Sequence, residues 1–258
     1  MNTSDRKPFD VLLFSISMVI LIVASIPSFL PKFARVLGIL FVGSIHYRII
    51  FTQTTGDFAG DLGLGSAILS QYLRGADYAL FTSPESLTNY RDGDASKVTQ
   101  HPFKKRIRWT LRLYSNPRGI GWAHEPRQLP SRPSPSMPRW KFVFSRILFT
   151  MGCFSAIGVV YVVDASNPGL TTPGMLLTEA PLHWRALGVT CFGLGGVFTL
   201  SGLNSILAAV VVACGFSSPE RWPWLFGSPF QLWSIRRFWR RFWHQMIRKV
   251  NVFCISWL

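Results

Sequence analysis

Residues 11–30 and 186–214 contain no charged side chain, and residues 142–163 contain only Arg146. Each stretch reaches the roughly 20 apolar residues that a helix needs to cross a bilayer. Arg146 lies close enough to one end of its stretch to snorkel. Residues 33–51 form a weaker candidate, with Arg35, His46 and Arg48 near its ends. The first stretch follows a short charged N-terminus, but its length and the lack of a small-residue cleavage site before Pro27 favour a retained anchor over a signal peptide. The pattern predicts an all-α, polytopic membrane protein with three or four transmembrane helices plus interfacial amphipathic helices.

The intervening chain is not uniform. Residues 56–81 have helical apolar spacing but include Asp61, Arg74 and Asp77, which suits a helix at the interface or beside a polar cavity. The GDLGLGS glycines within it follow no strand and no lysine completes a phosphate cradle, so they read as close helix packing. Residues 126–138, PRQLPSRPSPSMP, read as an extended proline-rich linker. Three regions follow: 1–55 as an N-terminal membrane anchor, 56–140 as a basic cytosolic or interfacial region ending in the linker, and 141–258 with the remaining spans and an aromatic, arginine-rich helix.

Composition sharpens this picture. The chain of 258 residues is 48% hydrophobic yet carries a formal charge of +15, so grease and charge must occupy different places. Residues 84–140 hold eleven Lys/Arg against four acids, and the tail from 215 holds seven against one. The connection 164–185 holds Arg185 against Asp164 and Glu179. By the positive-inside rule both basic segments face the cytosol and 164–185 faces the other side. Lys32 and Arg35, between the first two candidate spans, weigh against a fourth span. In a soluble chain the KKRIRWTLR run at 104–112 suggests RNA; between membrane spans it reads as a retention signal and headgroup contact, so the expected partner is the lipid bilayer and not nucleic acid. The cysteines are scattered singly, with neither a disulfide framework nor zinc spacing, and no metal site is expected.

The segment SPFQLWSIRRFWRRFWHQMIRK, residues 228–249, carries the candidate chemistry. Ser234 is placed to N-cap a helix, in which Ile235, Phe238, Trp239, Phe242 and Met246 share one face. Arg237, Arg240, Arg241 and Arg248 fall opposite, with His244 among them. One reading is a basic amphipathic helix on anionic headgroups, with His244 a solvated surface residue. The other notes that neighbouring arginines favour the neutral imidazole, which can take a proton from a hydroxyl while the arginines hold a phosphorylated donor. The pattern alone leaves both open.

The same segment resembles the wax-synthase-like membrane-bound O-acyltransferases of fungi. Their signature of Phe-Gly-Ser-Pro, a Ser-Leu-Arg step and Phe-Trp-Gly-Arg-Arg-Trp-His-Gln is matched by Phe226, Gly227, Ser228, Pro229, Ser234, Arg236, Phe238, Trp239, Arg241, Trp243, His244 and Gln245. NPRGIGWAHEP, residues 116–126, resembles the Arg-Gly-Ile-Gly-Trp element of the same family. The resemblance implies transfer of an acyl group from coenzyme A to an alcohol: acetylation of a terpenoid or meroterpenoid hydroxyl, or alternatively long-chain wax ester synthesis. It makes His244 the candidate base or substrate-orienting group, and Arg237, Arg240, Arg241 and Trp243 candidate contacts to coenzyme A or substrate. Arg118 and Trp122 are either donor contacts or a structural turn. Acetyl-CoA enters as co-substrate, with no bound cofactor, and the expected location is the endoplasmic reticulum membrane. Arg240 stands where the signature has glycine and Phe242 where it has arginine, and the family's second, distal histidine has no counterpart. After Lys249 the resemblance stops, so a further expectation is a C-terminally truncated chain that transfers no acyl group as it stands.

Overall fold

The computed structural model describes residues 6–82, 87, 98–116, 118–125, 129–231, 233–238 and 242–243. They fall into two compact units that divide between residues 127 and 128.

The first unit contains α1 (Val11–Ala24), α2 (Lys32–Thr52), α3 (Phe58–Ala76) and α4 (Phe103–Tyr114), with two-residue strands β1 (Lys7–Pro8) and β2 (Gln53–Thr54) paired in parallel. Asp10 caps α1 by accepting from the Leu13 amide at 2.9 Å. The helix stops at Ala24, where the Ser25 hydroxyl donates to the Leu21 carbonyl at 2.8 Å, and Pro27 and Ser28, at φ 52°, turn the chain. Its 14 residues rise only about 21 Å against a hydrocarbon core of about 30 Å. The uncharged run 11–30 is therefore not one continuous span. Instead α2, with 21 residues, is long and apolar enough to cross.

Two of the polar residues that weakened residues 33–51 as a candidate, Arg35 and His46, are accommodated inside the unit, while Arg48 stays exposed. Arg35 Nε donates to the Leu30 carbonyl at 2.9 Å, and His46, buried, shares a 2.8 Å hydrogen bond with the Ser17 hydroxyl of α1. Each polar group that finds a partner within the protein need not be solvated by lipid, where an unsatisfied group costs several kcal/mol.

Around this helical hairpin, Leu21, Ile39, Val42, Tyr78, Leu113, Tyr114 and Trp122 form a core. Gly75 lets α3 approach α1, since a Cβ there would lie 2.8 Å from a Leu21 methyl. The Tyr114 hydroxyl reaches both Ser25 Oγ (2.8 Å) and the Leu21 carbonyl (3.1 Å), and burial pushes its phenol up to about 12. Asp61 ties α3 to the preceding loop, accepting from Thr54 Oγ1, the Thr55 amide and Thr55 Oγ1. The basic run 104–112 lies in α4, which buries Thr110, Leu113 and Tyr114 and exposes Lys104, Lys105 and Arg108.

The second unit is built on α5 (Arg139–Ala165) and α7 (Leu182–Ala213), joined by a loop containing the one-turn α6 (Pro168–Thr171). Along α7, Gly188, Gly195, Gly202 and Ala209 recur every seven positions. Added Cβ atoms at Gly195 and Gly202 would lie 3.6 Å from Val160 and 3.3 Å from Cys153 of α5, so this small-residue seam carries the close contact. At the loop end, buried Asn167 accepts from the Gly169 amide and donates to the Trp184 carbonyl at 3.1 Å. Outward faces of both helices expose Phe144, Met151, Phe192, Leu203 and Val210, as lipid-facing surfaces do. Trp140 and Tyr161, both exposed, stand 21 positions apart on α5, about 32 Å along its axis, the separation of two aromatic belts.

The positive-inside rule predicts an orientation for this pair that a glycosylation acceptor tests. Gly174, at φ 81°, sits in an exposed part of the loop, so an Asn-Ser-Thr insertion after it disturbs no buried contact. It is expected to be modified in microsomes, whereas the same insertion at Ser134 in the linker is expected to stay unmodified. The reverse pattern would place the linker and the 228–249 segment on the lumenal side.

Candidate functional site

A cavity of about 1070 Å³ lies within the second unit. One wall is a stripe of α7, where Thr190, Gly193, Leu194, Val197, Phe198, Ser201, Asn204 and Ser205 follow three- and four-residue spacing. Phe149 of α5 and residues 129–131 of the linker contribute further lining, and Leu225–Pro229 with Phe238, Phe242 and Trp243 close the rest. Its lining is mostly apolar, and its size lies just above the roughly 300–1,000 Å³ usual for small-molecule sites.

The wall at 222–229 is held by a buried cation. Arg146, expected to snorkel to the end of its span, is instead 2% exposed and turned inward. Its Nη2 donates to the Trp222 carbonyl at 2.6 Å, and its guanidinium lies 3.8 Å from the Trp224 ring centroid and 4.9 Å from that of Phe142. A desolvated cation over an aromatic face gains about 2 kcal/mol, which offsets part of the cost of burying the charge. Phe149 packs on Trp224 at 4.7 Å, and Trp222 Nε1 donates to Ser217.

The downstream aromatics meet the Phe-Gly-Ser-Pro corner. Phe226 lies 5.4 Å from Phe242 and 5.6 Å from Trp243, and Phe238 lies 5.7 Å from Trp243. The Gly227 amide donates to the Phe242 carbonyl at 3.4 Å. Ser234 does cap α8 (Ile235–Arg237), its hydroxyl accepting from the Arg237 amide at 3.2 Å. The expected aromatic face is thus divided: Ile235 is exposed, while Phe242 packs on Phe226, Phe238 packs on Phe242 and Trp243, and both phenylalanines line the cavity rather than facing lipid.

Of the residues singled out from the sequence, Trp243 lines the cavity and Arg237 stacks on Trp233, 3.8 Å above its ring. His244, Arg240 and Arg241 lie outside the described residues; His244 follows Trp243 directly in the chain. Arg118 and Trp122 belong to the first unit, where both are buried and Trp122 packs edge-on against Trp109 at 5.3 Å. Their motif forms a pinned turn. Asn116 donates to the Ile120 carbonyl at 2.7 Å and accepts from its amide at 3.0 Å. Gly119 sits at φ 63°, and a Cβ added there would lie 2.6 Å from the His124 ring, so only glycine fits. The polar group Ser201, Asn204 and Ser205 escaped sequence reasoning. Its signal is present as three polar residues at helical spacing inside a span without charge.

Gly193 offers a direct test of the cavity, because no atom lies within 4 Å of a Cβ added there. Gly193→Phe is expected to insert and fold, yet to weaken saturable binding of pyrene about tenfold or more, given the roughly 1–3 kcal/mol cost of overfilling a packed space. Energy transfer from tryptophan to pyrene in nanodiscs reads this directly. Unchanged binding would mean that the cavity does not receive apolar compounds.

Comparison with known proteins agrees with the resemblance. A sequence profile described as the membrane bound O-acyl transferase family matches residues 222–258, and so extends through the tail that lies beyond the motif resemblance. The chain is 30% identical over 205 residues to the acetyltransferase eriL of Hericium erinaceus, covering 79% of this chain and 53% of that protein. It is 27% identical over 250 residues to the acetyltransferase ple2 of Rhodocybe pseudopiperita, covering 97% and 63%. With the O-Mevalon transferase macI of Penicillium terrestre it shares 31% identity over 183 residues, covering 66% and 41%. The chain thus spans about half to two thirds of the length of the first two of these relatives. No solved structure matches it. Three membrane-capable helices, the Phe-Gly-Ser-Pro corner at the cavity, the profile match and these relatives together support the likeness of the chain to the membrane bound O-acyl transferase family.

Proposed function

We propose that this protein is an acyl-CoA-dependent O-acyltransferase that acetylates a hydroxyl of a terpenoid or meroterpenoid acceptor at the endoplasmic reticulum membrane. The observation that carries this reading is the large apolar cavity whose wall includes Trp243, the residue that His244 follows. An apolar polycyclic acceptor matches such a lining, and the donor's phosphates match the arginines of the same segment. The acetyl group is favoured because eriL and ple2 are named acetyltransferases; macI is named for a different transfer, so the donor pocket is the more variable part of the reading.

The chemistry follows from few parts. His244 takes the acceptor's hydroxyl proton as the oxygen attacks the thioester carbonyl. The tetrahedral intermediate collapses, the C–S bond breaks, and the proton passes to the departing thiolate to give the ester and free coenzyme A. Arg237, Arg240 and Arg241 hold the donor phosphates at the cytosolic face, where charge-assisted hydrogen bonds orient it. Arg118 and Trp122 act as scaffold for the pinned turn.

Labelled acetyl-CoA supplied to microsomes bearing the chain, with terpenoid alcohols as acceptors, tests this. His244→Ala is expected to lower ester formation by roughly 10²–10⁴-fold, the usual contribution of a general base, with membrane insertion unchanged. His244→Asn separates two roles: retained activity would make the residue an orienting group rather than the base. Full activity of the alanine variant would remove the site from His244, and a preference for long-chain acyl-CoA would favour wax ester synthesis.

A further inference from the structure

Most of the α7 wall is apolar, but one turn of it is not. Ser201 and Ser205 are 8% and 1% exposed, both line the cavity, and with the half-buried Asn204 they occupy positions i, i+4 and i+3 of one face. Among the serines of the other helices, Ser15, Ser44 and Ser145 donate back to a carbonyl three or four residues earlier, and those that do not, Ser66, Ser70 and Ser155, are only half-buried or exposed. Ser201, Asn204 and Ser205 make no side-chain hydrogen bond among the described residues. Thr190, the other hydroxyl on this stripe, is already committed to the Ala186 carbonyl at 2.8 Å.

An asparagine in a membrane-crossing helix is costly unless something satisfies its amide. The usual partner is a neighbouring helix. That explanation does not fit here, because α5 packs on the seam of Gly195 and Gly202, and at about 100° per residue Asn204 stands roughly 200° around the helix from Gly202. Nine residues separate Asn204 from the C-terminal end of α7 at Ala213, about 14 Å of helix, which places the group below the headgroups where bulk water does not supply the missing bonds. What remains to satisfy these groups is the cavity's occupant.

We infer that Ser201, Asn204 and Ser205 form a polar subsite that hydrogen-bonds an oxygen substituent of an otherwise apolar, polycyclic acceptor. The inference rests on the reading of the cavity as the acceptor site and deepens it. The asparagine amide offers two donors and an acceptor, and each hydroxyl offers both, so the group matches either a hydroxyl or a carbonyl. A site built this way discriminates against the same skeleton without its oxygen, because the protein's own polar groups are then left unpaired beside it. The acceptor class is therefore an oxygenated polycycle and not a plain hydrocarbon or lipid tail, with these three residues positioning it while the chemistry proceeds elsewhere in the cavity.

Binding tests this without requiring turnover. The full chain in phosphatidylcholine nanodiscs is titrated with tritiated cedrol and with tritiated cedrane, the matching hydrocarbon, each corrected for partition into empty nanodiscs. Cedrol is expected to bind about tenfold more tightly than cedrane, the scale of one or two net hydrogen bonds. Asn204→Leu is expected to remove that preference while keeping cedrane binding, which also reports that the variant folds. Should Asn204→Leu bind neither compound, the Ser201→Ala/Ser205→Ala double variant decides, with the preference expected to fall at least about threefold. Equal affinity of the unaltered chain for both compounds, binding of neither, or a preference that survives in the deciding variant would overturn the subsite. A clear preference in a chain that forms no ester would support the subsite and count against the catalytic reading alone.

Discussion

Two helices that meet in lipid gain little from hydrophobic burial, since the tails they leave are as apolar as the side chains they join; what draws them together is close packing of backbone on backbone. In the second unit this condition is met by Gly188, Gly195, Gly202 and Ala209, spaced so that one seam of α7 lies against α5. Fixing that seam fixes the rest of the helix's rotation. The face bearing Gly193, Val197, Ser201 and Asn204 is turned to the cavity, while Phe192, Leu203 and Val210 are turned outward. The polar turn and the open space at Gly193 thus follow from a packing requirement on another face.

The second support is Arg146. A guanidinium buried among aromatic rings needs partners for its donors and its positive face, and Trp222, Trp224 and Phe142 supply one carbonyl and two ring faces, while Nη1 has no hydrogen-bond partner among the described residues. This binds the start of the Trp222–Pro229 segment to α5. The Phe-Gly-Ser-Pro corner then presents Phe226 to Phe242 and Trp243, so the segment that carries the family signature is organised by a cation many residues earlier in the chain.

The sequence reveals what depends on local composition. The α5 and α7 spans, the α3 helix, the linker, the Ser234 cap and the family signature are all legible from periodicity, charge and motif. The misreadings come from treating polar residues singly. Lys32, Arg35, His46 and Arg48 make residues 33–51 look unfit to cross, but His46 has Ser17 as a partner on α1 and Arg35 has the Leu30 carbonyl. Conversely, the uncharged run 11–30 looks continuous, although Ser25, Pro27 and Ser28 end its helix after 14 residues. Arg146 looks like a snorkelling residue because its partners Trp222 and Trp224 lie more than seventy positions away, and long-range pairing leaves no periodic trace. The cavity itself is invisible for the same reason, whereas the three polar residues on α7 stand in plain sight and pass for ordinary span composition.

The central claim is that an apolar acceptor occupies the space between the α7 stripe and the Phe226 corner. Photo-crosslinking is the most direct measurement of it: a diazirine-bearing polycyclic alcohol is irradiated with the chain in native microsomes, and the labelled peptides are identified by mass spectrometry. The account predicts label concentrated on residues 189–205 and 224–243, competed away by excess unlabelled alcohol. Label confined to the first unit, or spread without competition over the lipid-facing positions of α2, α5 and α7, would contradict it.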